Sequence, residues 1–304
     1  MMDPFELALV EAVVLGVLCG IVGTVVVVRG RVFFAQALSH ATFPGAVVAA
    51  ALGANVLVGS AIAAAGLTAV MYGVGRIGRQ GASVASGIVL TTGFAVGALL
   101  QGMDLGVPIR IDNYLVGSIL TVAPGDVVAT AVILVVAVAV LGFAGRYIVF
   151  DSFDPTAFRA GGYRRWPVEF AVLGLVSLTV VVALPAVGAI LTIALIAAPA
   201  AAAQIFCATY ARMVVVAPIV GSLCAVAGVA ASRVLAVSAG AAIALVAAGV
   251  FVAALACRAA LRALRLAAKR ATASQLPPRA GSQAAVEVPL PATSGGFVST
   301  EVDA

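Results

Sequence analysis

Charge is scarce in this 304-residue sequence: Asp, Glu, Lys and Arg make up 10% of it, while 63% is hydrophobic. With a mean hydropathy of +1.21, the composition excludes a water-soluble globular domain and predicts a polytopic membrane protein. No acid lies in the middle of a long apolar run. Glu11 is about one turn from the outer end of the first run and can snorkel, and Asp126 and Glu169 stand at run ends. Carriers driven by proton or sodium gradients usually keep an acid at mid-depth, so its absence disfavours that class. The four cysteines, Cys19, Cys207, Cys224 and Cys257, match no zinc or redox spacing and read as small buried hydrophobes. There is no GxxxxGK[ST] loop, no nucleophile–base pair and no HExxH helix. Energy, if used, is therefore expected from a partner, and no permanently bound cofactor is expected. A cleavable signal peptide is not expected either, because the first run is too long and follows Asp3 and Glu6 rather than basic residues.

What is present is a series of bilayer-length runs in an all-α pattern. About nine spans can be drawn: Leu7–Val28, Val32–Leu52, Leu57–Val74, Ala85–Gly102, Val127–Ala144, Pro167–Leu184, Val187–Phe206, Val214–Leu235 and Ala236–Cys257. Every odd-numbered span exits into a basic segment: Arg29 and Arg31, Arg76 and Arg79, Arg146 to Arg165, Arg212, and Arg258. Only Arg110 and Arg233 fall on the other side. The positive-inside rule then places the N-terminus outside and the C-terminus in the cytoplasm of a cell membrane. The net charge of +5 is thus a topology signal and not one for nucleic acid. The expected organisation is a transmembrane domain over residues 1–257 and a tail over residues 258–304. The tail begins with Arg258, Arg262, Arg265, Lys269 and Arg270 at helical spacing, suited to the headgroups of the inner leaflet. From Ala271 onward its composition predicts disorder. Between the fourth and fifth spans, the apolar stretch Tyr114 to Val122 is too short to cross and predicts a short interfacial or re-entrant helix.

The only histidine, His40, stands near the centre of the second run, about 3 Å from its middle at 1.5 Å per residue. An ionisable group at that depth marks a transport path by default. Pro44 lacks an N–H, so the His40 carbonyl loses its helical donor and a break in the helix is expected there. Gln36 is four residues before His40 and shares its helix face, with Ser39 adjacent. An imidazole and an amide oxygen make half of a weak transition-metal site, which a second, facing copy would complete. A histidine merely hydrogen-bonded between packed helices is the alternative. Small residues, including Gly16, Gly20 and Gly23 in span one and Gly87, Gly93 and Gly97 in span four, favour close helix approach. Pro199 is expected to kink span seven and free the Leu195 carbonyl.

Four blocks in order resemble the permease subunit of metal-ion ABC importers, the family for zinc, manganese and iron. QALSHATFPG (36–45) is similar to that family's D-A-L-S-H-A-x-x-P-G, and NYLVGSILTVAPGD (113–126) to its Y-L-F-G-S-I-L-T-V block. DPTAFRAGG (154–162) is similar to D-P-x-x-A-x-A-x-G, and VGAILTIALIAAPAAAA (187–203) to V-G-x-L-L-x-x-A-L-L-x-x-P-A-A. The likeness covers about residues 7–257. It implies a type II-like permease working as a homodimer on cytoplasmic ABC ATPase subunits, supplied by an extracytoplasmic metal-binding protein.

In that family the acid and histidine of the first block are associated with metal coordination. The histidine maps to His40; the acid maps to Gln36, a departure that removes an anionic oxygen. The expectation is therefore zinc on the imidazole, with manganese also possible. The third block implies an ATPase-contacting helix of Asp154, Pro155, Thr156, Ala157, Phe158, Arg159 and the following Gly162. Asp154 suits an N-cap and Pro155 a first turn. The competing expectations are the same architecture carrying a siderophore or cobalamin, an ion-driven carrier, and a non-transporting scaffold.

Overall fold

The computed structural model describes residues 3–75, 82–103 and 117–274. Eleven α-helices lie within them: α1 (Pro4–Val28), α2 (Val32–Ala41), α3 (Phe43–Ala51), α4 (Val56–Gly75), α5 (Ala82–Gly102), α6 (Pro124–Phe153), α7 (Pro155–Ala160), α8 (Arg165–Val187), α9 (Ala189–Phe206), α10 (Tyr210–Leu235) and α11 (Ala239–Ser274). No strand occurs among the described residues. Seven helical segments are long and apolar enough to cross a membrane, α2 and α3 together forming one of them. Two shorter apolar helices, Ser86–Gly102 and Leu191–Phe206, stand where the fourth and seventh spans are expected. The chain divides into compact units of residues 1–258 and 259–304; residues 259–274 of the second are helical. Arg76, Arg79, Arg110 and most of the tail predicted to be disordered lie outside the described residues.

Local chemistry sets the helix ends. Pro4 and Pro124 start α1 and α6, where a missing N–H costs nothing, and the Asp126 carboxylate accepts the Ala123 N–H at 2.9 Å. Gly188, at φ +85°, separates α8 from α9 in a conformation that a side chain would resist. Gly117 (φ +65°) packs on that junction, and the Ser118 N–H donates to the Pro185 carbonyl at 3.2 Å. The region predicted as a short helix over 114–122 is instead a 3-10 turn at Ile119–Thr121; residues 114–116 lie outside the described ones.

The first helix is the hub. It packs on α6, α8, α9 and α10. Its three glycines explain how. A Cβ on Gly16 would come within 2.5 Å of the Ser222 Cα. One on Gly20 would reach 2.6 Å from the Ala217 carbonyl oxygen, and one on Gly23 would fall on the Ile196 carbonyl. Lipid tails are as apolar as Leu, so close backbone packing, not exclusion from water, holds such helices together. The second hub surface joins α2 and α3 to α5. There Gly93 lies against Ala41, with 2.6 Å left for a Cβ, and Gly97 lies against the Phe43 ring.

Candidate functional site

The segment around His40 is helical almost throughout. Thr42 separates α2 from α3 yet keeps helical dihedrals (φ −79°, ψ −14°). Its N–H donates to the Leu38 carbonyl at 3.0 Å, and its carbonyl accepts from the Ala46 N–H at 3.3 Å. Val32–Ala51 thus reads as one 20-residue segment. The break expected from Pro44 is present and short: α2 ends at Ala41, α3 begins at Phe43, and Pro44 falls in the first turn of α3. His40 sits about 2 Å along the axis from the middle of that segment.

Gln36 and His40 meet as their spacing requires. Gln36 Nε2 donates to His40 Nε2 at 2.8 Å, and both side chains are half-buried. Gln36 Oε1 is buried with no hydrogen-bond partner among the described residues. The His40 ring meets Phe94 of α5 edge-on, centroids 5.8 Å apart, and Phe94 in turn lies 6.2 Å from Phe43. The contacts of Gly93 and Gly97 therefore fix the wall beside the imidazole. Ser39 does not join the pair. It is buried, and its hydroxyl donates to the Ala35 carbonyl at 3.0 Å. Pro199 lies inside α9, which continues through it to Phe206. Among the described residues no three His, Cys, Asp or Glu side chains cluster as metal ligands. With one histidine in the sequence, a site holding two imidazoles needs two copies of the chain.

The second predicted element forms as a distinct short helix. The Asp154 carboxylate caps α7, accepting from the N–H groups of Thr156 at 3.1 Å and Ala157 at 2.8 Å. Gly162, at φ +79°, turns the chain out of it. Pro155, Thr156 and Arg159 are exposed, and Ala157 is half-buried. Phe158 does not share that outward face. It is 1% exposed and packs with Val25, Ile148, Val168 and Val172. Tyr163 stacks on its ring at 5.1 Å and Phe150 meets it edge-on at 5.4 Å. Phe158 is the anchor of α7; Thr156 and Arg159 are what it presents.

Two sets of charges escaped the sequence reading. Glu11 does not snorkel. It is 0% exposed, and its Oε1 accepts from the Thr130 hydroxyl of α6 at 2.8 Å, while Oε2 has no partner among the described residues. As the only acid within the first apolar run, it carried a signal, but its partner is 119 residues away. The second set is an ion-pair cluster. Arg29 pairs with Asp151 and reaches Glu169 at 3.4 Å; Arg31 pairs with Glu169; Arg165 Nε reaches Asp151 Oδ1 at 2.6 Å. The cue was two acids, Asp151 and Glu169, in segments otherwise counted as basic. Of the four cysteines read as buried hydrophobes, Cys19 and Cys224 are buried, Cys207 is half-buried and Cys257 is exposed.

Apolar helices of bilayer length, packed closely through glycines, define a polytopic membrane protein. The chain belongs to the ABC 3 transport family, whose model matches residues 1–258. It is 31% identical over 245 residues to the manganese transport system membrane protein MntC of Halalkalibacterium halodurans, covering 80% of this chain and 84% of that one. It is 29% identical over 226 residues to the chelated iron transport system membrane protein YfeD of Yersinia pestis, covering 74% and 76%. Among solved structures it resembles PsaBC from Streptococcus pneumoniae in complex with Fab, with a TM-score of 0.75 and 25% identity over 84% of this chain and 91% of that one. The chain is thus a transport permease and not the ATPase of its system.

Proposed function

We propose that this permease passes a divalent transition metal across the cell membrane as a homodimer, with His40 and Gln36 of both copies facing the path. ATP is hydrolysed on separate cytoplasmic ABC subunits that meet α7, and an extracytoplasmic metal-binding protein delivers the ion. The N-terminus lies outside and the C-terminus inside, as the arginine asymmetry indicates. The observation that carries this reading is the mid-segment pair with its orphaned amide oxygen. In the structure the Gln36 amide N–H occupies the His40 Nε2 lone pair. Turning the amide over frees that nitrogen and brings Oε1 beside it. Each copy then offers one imidazole nitrogen and one neutral oxygen, and two copies offer four donors. Neutral donors bind weakly enough for the ion to leave, which conduction requires.

The donor set favours zinc over manganese, since imidazole suits zinc and manganese prefers anionic oxygen. A second reading, manganese, is favoured by the name of the MntC relative. Uptake of radiolabelled zinc and manganese by cells expressing the permease with its ATPase subunits separates the two. Gln36→Asp restores an anionic oxygen. It is expected to move the zinc-to-manganese uptake ratio toward manganese by about tenfold or more, equivalent to about 1.4 kcal/mol. An unchanged ratio would remove Gln36 from the selectivity argument. Failure of wild-type cells to accumulate either metal would end the metal reading.

A further inference from the structure

The ion-pair cluster lies where three parts of the chain converge. Arg29 and Arg31 come from the turn between α1 and α2. Asp151 is in the last turn of α6, three residues before the Asp154 cap of α7. Arg165 and Glu169 open α8, just beyond α7. The Asp151–Arg165 pair therefore closes the base of the loop that carries α7, and the pairs of Arg29 and Arg31 tie that base to the α1–α2 turn. The ties are dry. The Asp151 side chain is 0% exposed, the Arg29 side chain 6% and the Glu169 side chain 16%. Phe158 adds a second, apolar tie, because the small core that it fills includes Val25 of α1.

We propose that Arg29, Arg31, Asp151, Arg165 and Glu169 form the transmission joint of the transport cycle, carrying movement of α7 into the helix that bears His40. This rests on the reading of α7 as the ATPase contact. Arg31 is the N-cap of α2, and His40 lies nine residues on, about 13.5 Å up the same helix. A hydrogen-bonded helix of that length moves as a unit, so tilting its charged foot displaces the imidazole. The ionic geometry suits a joint better than an apolar contact would. The buried Arg29–Asp151 pair holds one arrangement firmly, and Asp151 shared with the half-exposed Arg165 allows that outer pair to loosen while the inner one holds. Arg29 Nη1 is buried without a partner among the described residues, so the cluster keeps a donor for an alternative pairing. These five are positioning residues; none needs to touch the transported ion.

The test uses the permease assembled with its ATPase subunits in vesicles, and reads metal uptake and ATP hydrolysis together. Asp151→Asn and Glu169→Gln keep shape and remove charge. Each is expected to leave the complex assembled and hydrolysing ATP while uptake per ATP falls within the roughly 5–150-fold span typical of coupling between sites. Asp151→Glu, which restores the charge, is expected to recover most of the loss. Arg159→Glu on the exposed face of α7 tests the underlying reading separately. If Arg159→Glu uncouples but both cluster variants transport at the normal ratio, the joint is refuted and the α7 reading stands. If none of them changes the ratio, both fall. If the cluster variants lose uptake, hydrolysis and assembled complex in proportion, the cluster only holds the fold and the proposal is overturned. The more exposed Glu169 keeps the test open should Asp151→Asn fail to assemble.

Discussion

Replacing His40 with alanine is expected to cut metal uptake by more than the roughly 10–100-fold that losing an outer-shell metal partner costs. The ring is the only imidazole of the chain, so a symmetric pair of copies loses both nitrogen donors at once. Folding should survive. The side chain is half-buried, bonded to the Gln36 amide and set edge-to-face with the Phe94 ring. Loss of these contacts leaves Gln36 free to turn and strands no buried charge, because its amide is neutral. The variant should co-purify with its ATPase subunits at the wild-type ratio, and the measurement is uptake of zinc and manganese normalised to that complex. Uptake at the wild-type rate with unchanged metal preference would mean that His40 only bridges packed helices. His40→Gln adds a useful comparison. It keeps a neutral donor of similar reach, so partial uptake there would show that donor chemistry matters beyond volume.

The legible parts of this molecule are those that act over one helical turn. The separation of Gln36 from His40 placed the pair on one face, and the two side chains hydrogen-bond there. Asp154 followed by Pro155 announced a capped helix, and one forms. Apolar run lengths marked the membrane segments, although α5 and α9 give shorter apolar stretches than the others. What could not be read depends on partners far along the chain. Glu11 reads as snorkelling because its run end is near, yet Thr130 of α6 draws it inward. Arg29 and Arg31 read as topology markers, and they are also paired with acids more than a hundred residues away. Phe158 sits in a block read as a contact helix, but the face of a six-residue helix is fixed by what it packs on, and here that is Val25 and Ile148. The break at Thr42 was legible from Pro44, and it is one residue long because Pro44 occupies the first turn of α3, where a missing N–H is tolerated. Electrostatic pairing and side-chain facing are tertiary facts; periodicity carries neither.

Adding one methyl group at Gly20 is expected to damage the fold more than the same change at Gly66, although both glycines sit within apolar helices. An ideal Cβ on Gly20 would lie 2.6 Å from the Ala217 carbonyl oxygen and from the Pro218 nitrogen. These are backbone atoms, so no side chain can swing aside, and α1 and α10 would have to separate along their shared length. Overpacking of this kind costs roughly 1–3 kcal/mol and sometimes more. A Cβ on Gly66 meets nothing within 4 Å, so alanine there should gain up to about 1 kcal/mol of helix propensity. The measurement is thermal unfolding of the purified permease in one detergent, comparing Gly20→Ala and Gly66→Ala with wild type. A lowered midpoint for the first and an equal or raised midpoint for the second is expected. Equal behaviour of the two would mean that the α1–α10 contact is looser than the geometry requires, and that α1 is not the hub on which the other helices close. The contrast also bears on the His40 site, because α1 packs directly on α9, and α9 packs on α2. Spreading α1 from α10 should therefore reach the imidazole mainly at second hand, through helices such as α9 and α8 that pack on both α1 and α2. Gly93→Ala acts on the site directly, since its Cβ would lie 2.6 Å from the Ala41 Cα, one residue from His40. Gly20→Ala is accordingly expected to lower stability with a milder effect on uptake per folded molecule, and Gly93→Ala to show the reverse balance.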